Sequence, residues 1–192
     1  MPSIHLSDLQ NSETETLQRL LQLYYFESSE WSNEDIGPDG LYDGSTSLDL
    51  QHYIDSDDGN AQLIRIDGNL AGFVILDKID IDNSVMWELA DFFILPKYRG
   101  GWNALEALRQ VFASFDQPMA ASTFKENKRA LRFFKAVAKR VNLTSAREFK
   151  EPAGSPFFTF IVNEPIEAKL SQLNEPTAFN INVRAKRSKS SA

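Results

Sequence analysis

One junction constrains this chain more than any other. The run "VMWELADFFIL" (residues 85–95) gives way at once to "PKYRGGWNAL". The first segment is rich in large apolar residues and long enough for an extended strand. Pro96 and the pair Gly100–Gly101 end it. Beyond them Leu105, Leu108, Phe112 and Phe115 fall on one helical face, which predicts a helix from about Gly101 to Phe115. A helix that opens straight after a strand and a glycine-containing turn presents unpaired backbone N–H groups and the positive end of its dipole. That is a physical anion site, and glycines let an anion come close to the backbone. Many such units bind nothing, however, and Trp102 puts a bulky side chain where a ligand would approach.

The surrounding pattern supplies a sheet for this junction. "AQLIRI" and "LAGFVIL" read as a hairpin around Asp67, Gly68 and Asn69. "DKIDIDN" then reads as a second turn leading into the long strand. Upstream, residues 14–26 carry helical spacing, and residues 27–60 read as an acidic loop with one short helix near "SLDLQHYIDS". Downstream come a short strand, "MAASTF", a basic helix, "NKRALRFFKAVAKR", and two more strands within "LTSAREF" and "PFFTFIV". The expected fold is a mixed α/β domain with a central, mostly antiparallel sheet over residues 1–164. Residues 165–192 form an extension, with a short helix in "IEAKLSQL" and a basic, flexible end, "VRAKRSKSSA".

Composition narrows the chemistry. The 192 residues include no cysteine, which excludes disulfides and thiolate metal sites. His5 and His52 stand alone in the sequence, so no metal centre is expected. The first residues show no basic-then-apolar leader and no apolar run approaches about 18 residues, so a cytoplasmic chain with no membrane span is expected. The net charge of −7 hides an asymmetry: residues 1–96 hold 3 Lys/Arg against 19 Asp/Glu, while residues 97–140 hold 10 against 3. An acidic half beside a basic middle suits one cationic and one anionic ligand, or is solubilising surface charge. A single short basic tail is weak grounds for a nucleic-acid partner.

These residues resemble the GNAT family of N-acetyltransferases over roughly residues 10–163. "FFILPKYRGGWNAL" is similar to the family's strand and phosphate-loop segment through Pro96, Tyr98, Arg99, Gly100 and Ala104, and "ENKRALRFF" to a later motif through Asn127, Ala130 and Phe133. The resemblance implies acetyl-CoA as co-substrate and an amine acceptor, in a monomer or homodimer. The pyrophosphate would lie on the backbone of Gly100, Gly101, Trp102, Asn103 and Ala104, beside Arg99. The pantetheine arm would run along Phe93, Ile94 and Leu95. Asn127 would reach the CoA chain or cap its helix. Arg129 adds countercharge, and Phe134 stands where many members carry a tyrosine that protonates the departing thiolate.

An amine attacks the thioester only as the neutral base, so a carboxylate near the end of the strand is useful. By the same resemblance Glu88 matches the position of a general-base glutamate in some members of the family, with Asp91 as its rival. On a regular strand the two face opposite sides, so one of them would face the cleft. Tyr98 or a water could take the place of the missing tyrosine. Trp102 replaces a loop glycine, so either its side chain turns away or the turn is rebuilt around Gly101. The acidic stretch "ESSEWSNEDIGPDGLYDGS" falls where the family builds its acceptor wall. It fits a cationic amine of a small molecule or protein, or else a basic protein partner of a module that has lost catalysis.

Overall fold

A computed structural model describes residues 2–163 apart from 33, 47, 82–83, 101, 116 and 141–145. The expected helix in "IEAKLSQL", the basic tail and Gly101 lie outside the described residues. In chain order the elements are β1 (Ile4–Asp8), α1 (Thr14–Ser32), the short α2 (Asp43–Thr46) and α3 (His52–Asp55), β2 (Gly59–Ile66), β3 (Asn69–Ile81) and β4 (Ser84–Ile94). There follow α4 (Asn103–Ala113), β5 (Met119–Phe124), α5 (Lys128–Arg140), β6 (Ala146–Phe149) and β7 (Phe157–Val162). Among the described residues the strands form one sheet in the order β1-β2-β3-β4-β5-β7-β6, with β4–β5 its parallel pair. The mixed, mostly antiparallel sheet expected from the sequence is therefore present.

Alternating side chains divide the core in two. On one face α4 contributes Leu105, Leu108, Val111 and Phe112, and α5 contributes Phe134 and Val137, packed on Val74, Leu76, Leu89 and Ile94. On the other face α1 contributes Leu17, Leu20 and Leu21 against Leu63, Phe73, Ile75 and Phe93. Because β4 and β5 run parallel, the helices that follow them, α4 and α5, begin at the same end of the sheet.

Several expectations are corrected. "IHLSD" forms edge strand β1, paired with β2 from Ile4↔Ile66 to Asp8↔Gln62. The helix read over residues 14–26 continues to Ser32, into the stretch read as loop. "DKIDI" is strand rather than turn: β3 continues to Ile81, with Ile79 and Ile81 buried and Lys78 paired to Asp58 at 3.0 Å. The helix after the junction runs from Asn103 to Ala113, slightly inside its expected bounds.

Gly72 fixes how β3 and β4 meet. A Cβ built there would lie 1.9 Å from the Phe93 carbonyl oxygen and 3.0 Å from its carbon. The absence of a side chain thus lets the backbone of β4 approach β3 near its end, in the part of β4 that has no pairing with β5.

Candidate active site

That parting of the strands defines the site. β4 pairs with β5 only through Trp87↔Met119, Glu88↔Ala120 and Leu89↔Ala121, yet β4 continues to Ile94 and β5 to Phe124. Beyond Leu89, β4 keeps β3 as its neighbour, and β5 keeps β7 as far as Phe124↔Phe157. The sheet therefore opens into a wedge whose vertex is at Glu88 and Leu89. Phe93, Ile94 and Leu95 line the β4 side of the opening. The Phe93 ring lies in the α1 core and the Ile94 side chain in the α4–α5 core, while the Leu95 N–H bonds the Ala71 carbonyl at 2.8 Å.

The start of α4 lies beyond this opening. Pro96–Tyr98 makes one 3₁₀ turn, and Gly100 follows with φ of +92°, a region costly for residues with a Cβ. Among the described residues, chain neighbours aside, no atom stands within 4 Å of where a Gly100 Cβ would be, so the backbone there is open to approach. Trp102 occupies the position before the helix, and its side chain makes no capping bond there. The Asn103 amide instead reaches back to the Tyr98 carbonyl at 3.1 Å, and Ala104 packs on the α4–α5 core. Trp102 is 45% exposed, one turn before Glu106 in the chain.

The Glu106 carboxylate accepts from Nε and Nη2 of Arg109, each at 2.7 Å. The Arg109 bond, opposed by partial burial and supported by Gln110 and Trp102, holds its carboxyl down at about 2. Because this folded-state value lies below the ordinary 4.5, the contribution to stability is present above pH 4.5 and is lost as the pH falls toward 2. Melting curves of wild type and Glu106→Gln should therefore differ at neutral pH and converge across that acid range. The exposure of Arg109 keeps the difference modest.

The Arg99 guanidinium and the Tyr98 ring are both engaged within the protein. The Arg99 guanidinium donates to the Ile94 carbonyl and to Glu27 of α1 at 2.8 Å, lies over the Phe93 ring, and its side chain is 18% exposed. It braces α1 against the end of β4. The Tyr98 ring packs on the α4–α5 core, the face opposite Glu88. Asn127 is a helix cap: its Oδ1 accepts the Ala130 N–H at 2.9 Å at the start of α5. Replacing it with alanine should lower stability by about 1 kcal/mol, read as a shift of the denaturation midpoint, with no change in nucleotide affinity. Lys128, Arg129 and Arg132 are exposed near the start of α5, at the same end of the sheet as the start of α4. Phe134 is buried between Phe133 and Phe160 in the core.

Glu88 and Asp91 share a face, contrary to the regular-strand expectation. Cross-strand partners point the same way. Asp91 pairs with Ile75 and Glu88 with Asp77, two residues apart on β3, because the register slips by one residue between Leu89 and Asp91. This bulge at Ala90 turns both carboxylates toward the α1 side, where each is 8% exposed. Glu88 accepts the Ser122 hydroxyl at 2.9 Å. Glu34, just beyond α1, lies within electrostatic reach of Asp91. Burial pushes its carboxyl up, a 3.4 Å bond from Ser32 opposes this, and the Asp91 charge adds to the rise. Glu34 and Ser122 were not singled out from the sequence. Only the acidic stretch around Glu34 gave any signal.

The acidic stretch packs on α1 over the same face. Gln22 holds Tyr42 through both backbone groups, and Ile36 bridges to Tyr42. Glu30, Asp35, Asp39 and Asp43 stay exposed. The family profile described as "Acetyltransferase (GNAT) family" matches residues 16–138. The chain belongs to the GNAT acetyltransferase family. No curated protein matches it at the level of sequence. Solved GNAT folds superpose along most of its length. An acetyltransferase from Thermus thermophilus is 20% identical, with a TM-score of 0.60 over 83% of this chain and 96% of that one. A GNAT-family acetyltransferase from Staphylococcus aureus is 18% identical, with a TM-score of 0.59 over 84% and 100%. A spermidine/spermine N-acetyltransferase from Vibrio cholerae is 14% identical, with a TM-score of 0.50 over 90% and 97%. At these identities the likeness concerns the GNAT fold. Among the described residues no helix is long and apolar enough to cross a membrane.

Proposed function

We propose that the protein is an acetyl-CoA-dependent N-acetyltransferase that moves an acetyl group directly onto a cationic primary amine. The observation that carries this reading is the position of Glu88, a buried carboxylate at the vertex of the β4–β5 wedge. Acetyl-CoA fits the residues present. Trp102 makes no capping bond at the start of α4 and Gly100 leaves the backbone open, which suits a pyrophosphate. The exposed bases at the start of α5 add countercharge, and the β4 edge from Phe93 to Leu95 suits an extended pantetheine arm. When bound, acetyl-CoA supplies the activated acetyl thioester.

The chain's own residues supply the rest. Glu88 takes a proton from the incoming ammonium or attacking amine, with Asp91 beside it on the same face. The exposed acids of residues 30–43 attract the cation, and Asp91 and Glu34 draw it toward the wedge. A polyamine is the acceptor class that best fits this charge. The chain has no cysteine to carry an acyl intermediate, which supports direct transfer. Mass spectrometry of a panel of polyamines, simple amines and lysine peptides incubated with acetyl-CoA tests the proposal. One acetyl added to a polyamine is expected, and a panel left wholly unmodified would remove it.

A second reading is a GNAT-fold binding module without turnover. Its support is Phe134, which has no proton to give a departing thiolate and whose ring is committed to the core. Calorimetry separates the two: the module binds CoA or a basic protein yet releases no CoA when amine is added.

A further inference from the structure

A bulky side chain at the start of α4 either blocks a ligand there or touches it. Trp102 has helical dihedrals, φ −93° and ψ −19°, and its carbonyl accepts the Glu106 N–H at 2.9 Å, one turn into the helix. Its own N–H therefore joins those of Asn103 and Ala104 at the open end of α4. A helical Cα–Cβ bond tilts toward the N-terminus, so the indole leaves the backbone toward the end that presents those N–H groups. The backbone at Gly100, two residues earlier, stays open to approach. The side chain stands at the rim of the anion site.

The faces of this indole are uncommitted. Trp87, by contrast, has the Phe115 ring at 5.2 Å and Lys78 Nζ over its face at 5.4 Å. Among the described residues no aromatic ring pairs with Trp102 and no cation stands over it. It belongs to neither apolar cluster that α1, α4 and α5 build on the sheet, although Leu105, three residues on, is buried in one of them. The charge of Glu106, one turn along, is met by Arg109. Arg129 and Arg132, exposed near the start of α5, make no hydrogen bond or ion pair among the described residues and give this end of the sheet a positive field.

We propose that the Trp102 indole is the stacking face for the adenine of CoA. This rests on the proposed reading of acetyl-CoA as co-substrate. CoA carries its pyrophosphate between two unlike arms, the pantetheine that ends in the thioester and a 3′-phosphorylated adenosine. With the pantetheine in the wedge along Phe93 to Leu95, the adenosine lies on the outer side of the α4 start. The Trp102 ring is on that side, and the free arginines of α5 suit the 3′-phosphate. A purine laid on the indole buries apolar area of both rings and needs no hydrogen bond from the protein. A side chain ill-suited to hold phosphate thus recognises the part of the ligand beyond it.

Calorimetry of the full chain compares CoA with 4′-phosphopantetheine, which is CoA cut between its phosphates and so lacks the adenosine. Trp102→Ala should weaken CoA about tenfold and leave 4′-phosphopantetheine unchanged. Trp102→Phe, which keeps a smaller ring, should recover most of the loss. An indole that merely shaped the turn would cost both ligands alike, and that equal loss overturns the stack. So does a Trp102→Ala variant that binds CoA as tightly as the wild type. Tryptophan fluorescence reads the contact itself, since a purine stacked on an indole quenches its emission. Saturating CoA should quench the wild type but not Trp102→Phe, which retains Trp31 and Trp87. Equal quenching in the two overturns the stack. A wild type that binds no CoA overturns the co-substrate reading instead, and the stack falls with it.

Discussion

Glu88→Gln should lower kcat by about 10²–10⁴-fold while leaving acetyl-CoA affinity unchanged. The replacement keeps the shape of the side chain, and its carbonyl still accepts the Ser122 hydroxyl, so wedge and core stay intact. What it loses is the ability to take a proton at the vertex. The direction of rescue follows from the substrate. A lysine-like amine is charged below a pKa of about 10.4, so raising the pH supplies the neutral form that Glu88 would otherwise generate. The variant's rate should climb with pH through the alkaline range, while the wild type levels off earlier. Steady-state CoA release measured across pH, with calorimetry for acetyl-CoA, checks both parts. A variant as active as the wild type at neutral pH would move the base elsewhere, with Asp91 on the same face the first alternative.

Gly72→Ala should be the most damaging small substitution in the sheet. The added methyl would overlap the Phe93 carbonyl oxygen at 1.9 Å and crowd the Ile94 Cα at 3.1 Å, and these backbone atoms have no alternative rotamer. β3 and β4 must part locally, which breaks the pairing Gly72↔Ile94 and its neighbours. A loss of about 3 kcal/mol is expected, at the upper end for overpacking a core. In a domain of this size that corresponds to a drop of roughly 6–12 °C in melting temperature. The displaced segment also forms the β4 side of the wedge, so the affinity for CoA should fall with it. Alanine at Gly68, where nothing stands within 4 Å but φ is +78°, is the control: strain without overlap, and no effect on CoA.

The regular parts of this structure were legible where pattern alone decides conformation. "MAASTF" is β5 residue for residue, and the apolar positions of α4 fall on the face read from their spacing. Other segments misled for local reasons. β1 has only Ile4 and Leu6 to show for its alternation, too few to mark a strand at an edge. In "DKIDI" the charges suggested a turn, yet Lys78 finds Asp58 at 3.0 Å and the isoleucines enter the core.

Within the site, family-like residues were visible but their duties were not. Arg99 is held by Glu27, 72 residues away, which no local pattern announces. Asn127 satisfied two readings, and one hydrogen bond to Ala130 shows it capping α5. The bulge that brings Glu88 and Asp91 to one face is set by register against β3, since "ELADF" itself is compatible with a straight strand. Ser122 reaches Glu88 only because β4 and β5 pair Glu88 with Ala120, two residues before it.

A structure determined with CoA bound is the decisive test of this site. By the proposed reading, the wedge between β4 and β5, with the start of α4, presents a thioester to the Glu88 face. The pyrophosphate should lie on the backbone N–H groups of Trp102, Asn103 and Ala104, the pantetheine arm along Phe93 to Leu95, and the thiol near Glu88. CoA bound elsewhere, or with its thiol turned away from the wedge vertex, would contradict it.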